Sequence, residues 1–261
     1  MKILIVAVGI AWGVSDALAA EPATRTLQDI QACVQNNLPS TSLRQKVELK
    51  STDPAGGRRE LGAYLYALQD ARQRLNLMLT VQSPPDLAGA RYLLVEKADF
   101  DDIYVYLPAV RKTRRVMGAM RGQPLWGTDF SYEDLKYLQD GFGGHNTEHL
   151  GNGQSAGRAV HHLRIEPDAA AQSAYQSIEI DLDQRTCLLL EARFFDAAGL
   201  SKRMTSDPTQ FSQVGESWVA GFVTMYDFST ETQSTMSLSE VVYDESFSRN
   251  RFNPQTFHLV N

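Results

Sequence analysis

The chain has 261 residues, 43% of them hydrophobic and 21% charged, with a formal net charge of −6. That balance describes an ordinary globular protein, and its acidity argues against general nucleic-acid binding, which rests on a basic domain. Two cysteines, Cys33 and Cys187, admit one disulfide or two separate buried thiols.

The first residues bear on compartment. Lys2, the apolar run ILIVAVGIAWGV and the small-x-small site Ala17-Leu18-Ala19 predict a signal peptide over residues 1–19. Its expected cut lies between Ala19 and Ala20, and the run is shorter than the roughly 18 residues a spanning helix needs. Export to an oxidising compartment favours a Cys33–Cys187 disulfide that ties the first helix to the sheet.

Residues 20–261 read as a single domain, since no linker or composition shift divides them. TRTLQDIQACVQNN predicts a helix capped by Thr26, with Asp29 at the third helical position. Leu27, Ile30 and Val34 form its apolar stripe, and Cys33 lies beside it. Asn36-Asn37-Leu38-Pro39 ends it. The period then changes to two. LRQKVELK, ELGAYLYALQD, QRLNLMLTVQS, ARYLLVEK, DIYVYLP and VRKTRRV are predicted strands, separated by turns such as Asp53–Gly57 and SPPDLAG. After residue 157 come RAVHHLRIEP, AYQSIEIDL, RTCLLLEARFFD, LSKRMTS, SWVAGFVTMYD and STMSLSEVVYD. Hairpin-like spacing of this kind predicts an antiparallel meander, either a barrel or a strongly curved sheet. Between the halves, a short helix over Tyr132–Leu138 is followed by a glycine-rich stretch predicted to be a loop.

Few motifs point to chemistry. His145-Asn146-Thr147-Glu148-His149 matches a zinc-protease string, but Gly143, Gly144, Gly151 and Gly153 bracket it and oppose the helix that such a site requires. A polar loop without zinc is expected. His161 and His162 alternate on a strand, so they face opposite sides. There is no G-x-S-x-G elbow and no phosphate loop. No catalytic residue, metal site or cofactor is predicted. Arg111, Lys112, Arg114 and Arg115 crowd one strand, where they suit a charged sheet edge.

Tyr104, Tyr106, Leu107 and Pro108, then Arg111, Arg114 and Arg115, then Gly127-Thr128-Asp129-Phe130-Ser131-Tyr132 and Asp134 carry a resemblance. Their order and spacing resemble the signature of the outer-membrane lipoprotein-sorting protein family, the LolA-like periplasmic lipoprotein and lipid carriers. A weaker strand pattern, from PPDLAGARYLL to YQSIEIDLDQRTCLLLEARFFD, extends the resemblance along most of the mature chain. The HNTEH string lies outside it. The resemblance implies a mainly β fold with a few helices, an incomplete antiparallel β-barrel closed by helices around an apolar cavity. It implies a soluble periplasmic carrier that hides acyl chains of lipids or lipoproteins during transfer between the inner and outer membranes, touching membranes only transiently. An inner-membrane RND-type lipid exporter is the partner so implied.

Within that frame, Leu77, Leu79, Tyr104, Tyr106, Trp126, Phe130, Trp218 and Phe222 are the candidate cavity lining. Arg114 or Arg115 is expected to clasp Asp129 and pin the helix-bearing loop over the mouth. Two alternatives belong to other classes. A docking module that carries nothing would fill the cavity with its own Phe and Trp side chains. A cofactor-free enzyme on a hydrophobic substrate would place a perturbed ionisable group there, such as His162 or Glu191.

Overall fold

The computed structural model describes residues 25–38, 42–70, 72, 74–97, 101–139, 146–243 and 246–260. The predicted signal peptide and His145 lie outside the described residues. Among these, no helix is long and apolar enough to cross a membrane.

The chain enters through α1 (Leu27–Gln35), which begins with reciprocal bonds. Asp29 N donates to Thr26 Oγ1 at 3.2 Å, and Thr26 N donates to Asp29 Oδ2 at 3.0 Å. Its stripe buries Ile30 and Val34. Among the described residues fifteen strands follow: β1 (Ser42–Thr52), β2 (Arg58–Gln69), β3 (Leu75–Ser83), β4 (Arg91–Val95), β5 (Asp102–Leu107) and β6 (Lys112–Val116) precede α2 (Asp134–Gln139). Beyond it come β7 (Asn146–Ser155), β8 (Arg158–Glu166), β9 (Ser177–Asp183), β10 (Leu189–Asp196), β11 (Gly199–Ser206), β12 (Phe211–Val214), β13 (Ser217–Ala220), β14 (Phe222–Asp227) and β15 (Thr232–Tyr243).

Thirteen strands form one antiparallel sheet in the order β6-β5-β4-β3-β2-β1-β15-β14-β11-β10-β9-β8-β7, while β12 and β13 pair as a separate hairpin. The β1–β15 ladder joins the early and late halves, and β6 and β7 remain as edges, so the barrel is incomplete. On the concave side, Leu43, Val47 and Leu49 of β1, Leu77 and Leu79 of β3 and Phe194 of β10 share a core with Ile30 and Val34 of α1. Leu125, Trp126, Phe130, Leu135 and Tyr137 join that core. The cover over the concave face is therefore α1 together with a largely irregular segment, residues 117–133, that leads into the short α2.

Three elements depart from the sequence reading. The predicted loop around HNTEH contains β7, paired with β8 from Asn146↔Glu166 to Ser155↔Arg158 with a bulge at Leu150. Its side chains offer no apolar alternation, so main-chain pairing rather than patterning defines the strand. Gly153 leaves room there for the His162 ring: a Cβ would stand 2.1 Å from its Nε2, so a larger residue would have to displace that ring. SWVAGFVTMYD is broken into β13 and β14 at Gly221, where a Cβ would lie 2.8 Å from the Gln210 carbonyl oxygen. Finally, residues 246–260 pack on the convex face, where Phe252 and Phe257 bury Met78 and Leu93.

Candidate functional site: an apolar pocket beneath the first helix

The pocket is built where α1 meets the sheet. Cys33 on α1 is disulfide-bonded to Cys187 in the β9–β10 turn, with Cα atoms 5.9 Å apart. Asp183 shapes that turn by accepting from the Arg185 and Thr186 amides at 3.0 and 2.7 Å and from Thr186 Oγ1 at 2.9 Å. Burial pushes the Asp183 carboxyl up, but hydrogen bonds from Arg158 and Thr186 outweigh it and hold the carboxyl below its ordinary range.

Asn37, just past the end of α1, bolts three elements together. Its Nδ2 donates to the Thr186 carbonyl at 2.7 Å, and its Oδ1 accepts from the Trp218 amide at 2.9 Å. Ser217 Oγ adds a bond of 3.1 Å to the Asn36 carbonyl. The β12–β13 hairpin is thus hung over the sheet as a roof, with the Arg185 guanidinium 5.5 Å from the centre of the Trp218 ring.

Beneath this roof lies a cavity of about 120 Å³. Val34, Leu43, Leu182, Val223 and Leu238 form its apolar walls, Trp218 and Val219 come from the hairpin, and Tyr137 comes from α2. Gln45 is the polar residue set deepest in the β1 wall, only 3% exposed. At Leu38 and Tyr243 the pocket adjoins a wider, more polar depression of about 1060 Å³, between the end of α1 and the hairpin turn at Gly215.

The signature segment fastens the concave cover. Asp129 accepts from Ser234 Oγ at 2.5 Å and from Thr232 Oγ1 at a similarly short separation, both on β15. Its amide donates to Ser234 Oγ at 2.9 Å, and its carbonyl accepts from Lys202 Nζ at 2.7 Å. Asp134, fully buried, accepts from the Ser131 amide at 2.7 Å, Tyr175 Oη at 2.6 Å and Lys202 Nζ at 3.2 Å. Burial and the adjacent Asp134 carboxylate push the Tyr175 hydroxyl well above its ordinary value. Glu133 accepts from Ser173 Oγ, the Ala174 amide and Tyr137 Oη, and burial pushes its carboxyl up.

The expected clasp is corrected by this network. Arg115 engages Asp102, which Lys97 also pairs, and Asp129 is held by β15 instead. The cause is register: Arg115 stands opposite Tyr104 on the β5–β6 hairpin, two residues from Asp102 on the same face. Arg114 stands opposite Val105 and is exposed on the edge strand with Lys112.

The expected lining is likewise redistributed. Only Trp218 of the eight candidates borders the pocket. Leu77, Leu79, Trp126 and Phe130 are buried filler of the concave core. Tyr104 and Tyr106 lie on the convex face against the C-terminal segment, because Ile103 and Val105 take the inward positions. Phe222 is turned outward by the same alternation, with Val223 and Met225 inward. The proposed ionisable groups are also on the convex side: His162 Nδ1 lies 2.7 Å from Asp181, and Glu191 accepts from Arg193 at 2.7 Å. Sequence reasoning missed Gln45 and Asn37. Gln45 was legible as the one polar residue in the inward series Leu43, Gln45, Val47, Leu49, whereas Asn37 was read only as a helix terminator.

An open, strongly curved antiparallel sheet covered on its concave face by a first helix and a central strap defines a LolA-like fold. A protein described as an outer membrane lipoprotein-sorting protein domain, from Vibrio parahaemolyticus, superposes with a TM-score of 0.76 at 21% identity, covering 87% of this chain and 96% of that one. A DUF1329 family protein from Desulfovibrio piger gives 0.78 at 18% identity over 86% and 95%. A LolA superfamily protein from Nitrosomonas europaea gives 0.70 at 15% over 88% and 98%. No curated protein matches the chain. A family model described as that of an uncharacterized protein matches residues 74–258, and the chain belongs to that family.

Proposed function

We propose that this chain is a periplasmic carrier that shelters the acyl part of a lipid or lipid-modified protein, without catalysing a reaction on it. The observation that carries this reading is the apolar pocket between α1, the β12–β13 hairpin and the sheet, adjoined by a polar depression suited to a headgroup. Supporting it are the fold shared with LolA-like proteins and the signal-like run at the start of the sequence.

Size sets the terms of binding. A volume of about 120 Å³ is below the roughly 300–1,000 Å³ of ordinary small-molecule sites. It accommodates a chain end, a few methylenes at about 0.8 kcal/mol each, which gives affinities nearer millimolar than nanomolar. A whole chain does not fit in that volume, and its remainder would extend into the adjoining depression. Titrating lipid-stripped protein with a fluorescent acyl probe tests the reading. Saturable binding displaced by an unlabelled lysolipid is expected, and absence of binding up to probe solubility would end the carrier hypothesis.

A second reading is favoured by a specific observation: Trp126 and Phe130 are packed into the concave core, as a docking module that fills its own cavity would have them. A module of this kind binds no probe in the same titration.

A further inference from the structure

We propose that the β6 edge of the sheet docks on the surface of an anionic phospholipid bilayer. This surface is a different part of the molecule from the pocket, and its role does not depend on what the pocket holds.

Charge is concentrated there. Between Ile103 and Thr128 stand five cations and no acid, in a chain whose net charge is −6. Two of the five are used internally: Arg121 donates to the Asp101 carbonyl at 2.7 Å, and Arg115 pairs with Asp102. Arg111, Lys112 and Arg114 are exposed, and none of them has an ion-pair partner among the described residues. Opposite them β5 presents Val105 and Leu107 rather than acids. β6 is the terminal strand of the thirteen, so its outer flank meets no other strand of the sheet.

Exposed apolar side chains accompany the cations. Eight large hydrophobic residues are exposed among the described residues, and four of them lie on or next to this edge. Val110, 52% exposed, sits in the β5–β6 turn directly before the cations, and Met117, equally exposed, follows β6 with Met120 close behind. Leu259, 69% exposed, adjoins His258, whose ring lies 5.2 Å from that of Tyr106, the β5 partner of Thr113.

Charge alone would suit an edge guarded against strand addition. That role calls for no exposed Val, Met or Leu beside the cations. Cations interleaved with apolar tips match the interface of an anionic bilayer, where guanidinium and ammonium groups meet the phosphates and the tips reach the acyl boundary. The rival occupant is an acidic protein segment added as a further strand. β6 suits it less well, being only five residues long, preceded by Arg111 in a left-handed conformation (φ 48°) and lined with cations.

The test sediments full-length protein with vesicles of phosphatidylcholine alone and with vesicles of two parts phosphatidylcholine to one part phosphatidylglycerol. Wild-type protein is expected to prefer the mixed vesicles and to lose that preference in high salt. Arg111→Gln/Lys112→Gln/Arg114→Gln should bind the mixed vesicles about 100-fold more weakly, roughly fivefold per cation. The variant keeps the N-terminal apolar run, so that run cannot account for the difference. An environment-sensitive fluorophore on Val110→Cys should shift to the blue on the mixed vesicles, and the same label on Ala197→Cys, in the β10–β11 turn, should not. Should the triple variant not fold, the two labels decide alone. Failure of wild type to bind, equal binding by the triple variant, or an unmoved Val110 label on bound protein overturns the proposal. So does capture of polyglutamate without capture of vesicles, which assigns the edge to an acidic protein segment. Acyl-probe binding in the absence of vesicles should be the same for wild type and triple variant, so the edge and the pocket fail separately.

Discussion

A lysine pointing into the concave core of a sheet needs a strong local reason. Lys202, only 8% exposed, finds it in the Asp129 carbonyl and the Asp134 carboxylate. Asp134 has no exposure at all, so its charge is sustained by Lys202 together with the Ser131 amide and Tyr175 hydroxyl. Removing one member of such a group leaves the other uncompensated, which costs about 3–5 kcal/mol. Lys202→Met should therefore lower the unfolding free energy by about that amount at neutral pH in denaturant titrations, and adding Asp134→Asn should recover part of it. A loss below about 1 kcal/mol, the range of an exposed pair, would show that Asp134 does not depend on the lysine. At this scale the sequence was partly legible. The acids of the signature stood out as structural, but LSKRMTS gave no sign that its lysine rather than an arginine of β6 would meet them, because that partnership depends on which strands lie across the barrel.

Among the elements, α1 was read with its cap, stripe and end intact, because local rules set all three. The partner of Cys33 was favoured from compartment and count, and the disulfide joins elements 154 residues apart. The roof hairpin was not legible: SWVAGFVTMYD reads as one strand until the Gln210 carbonyl, close to Gly221, forces the break. β7 was hidden for the opposite reason, being polar and glycine-rich with no apolar alternation to mark it. The disulfide and Asn37 both converge on the Asp183–Leu189 turn, so α1 and the hairpin depend on one another. Chain-entropy arguments give a loop of this length several kcal/mol of stabilisation, with about 2–5 kcal/mol typically lost on removing a native disulfide. Cys33→Ala/Cys187→Ala should show a loss in that range. Its amide hydrogen exchange should rise first in α1 and in Phe211–Ala220, ahead of the central strands. Uniform acceleration across the sheet would mean that the bond stabilises the whole barrel rather than this corner.

The molecule as a whole resolves why DIYVYLP is apolar on both sides. Ile103 and Val105 join the concave core, while Tyr104 and Tyr106 meet the C-terminal segment on the convex face. That segment lies across β2 to β5. Its Arg251 sits 4.0 Å from the centre of the Tyr66 ring, and the Tyr106 and His258 rings are 5.2 Å apart. Arg91 donates to the Phe257 carbonyl and closes its far end. The curved sheet therefore has two independent covers: a strap and helix inside, next to the pocket, and a C-terminal strap outside. Deleting residues 246–261 should expose Met78, Leu93, Tyr66, Tyr104 and Tyr106 as one apolar patch, which predicts self-association in analytical ultracentrifugation and a lowered Tm. The pocket walls come from α1, β1, α2, β9 to β11 with the β9–β10 turn, the hairpin, β14 and β15, whereas the segment packs on β2 to β5. Acyl-probe affinity per folded molecule should then stay within about twofold of the full chain, as additivity of distant sites requires. If the truncated protein remains folded yet loses the probe, the two faces are coupled through the sheet and the pocket is not an independent site.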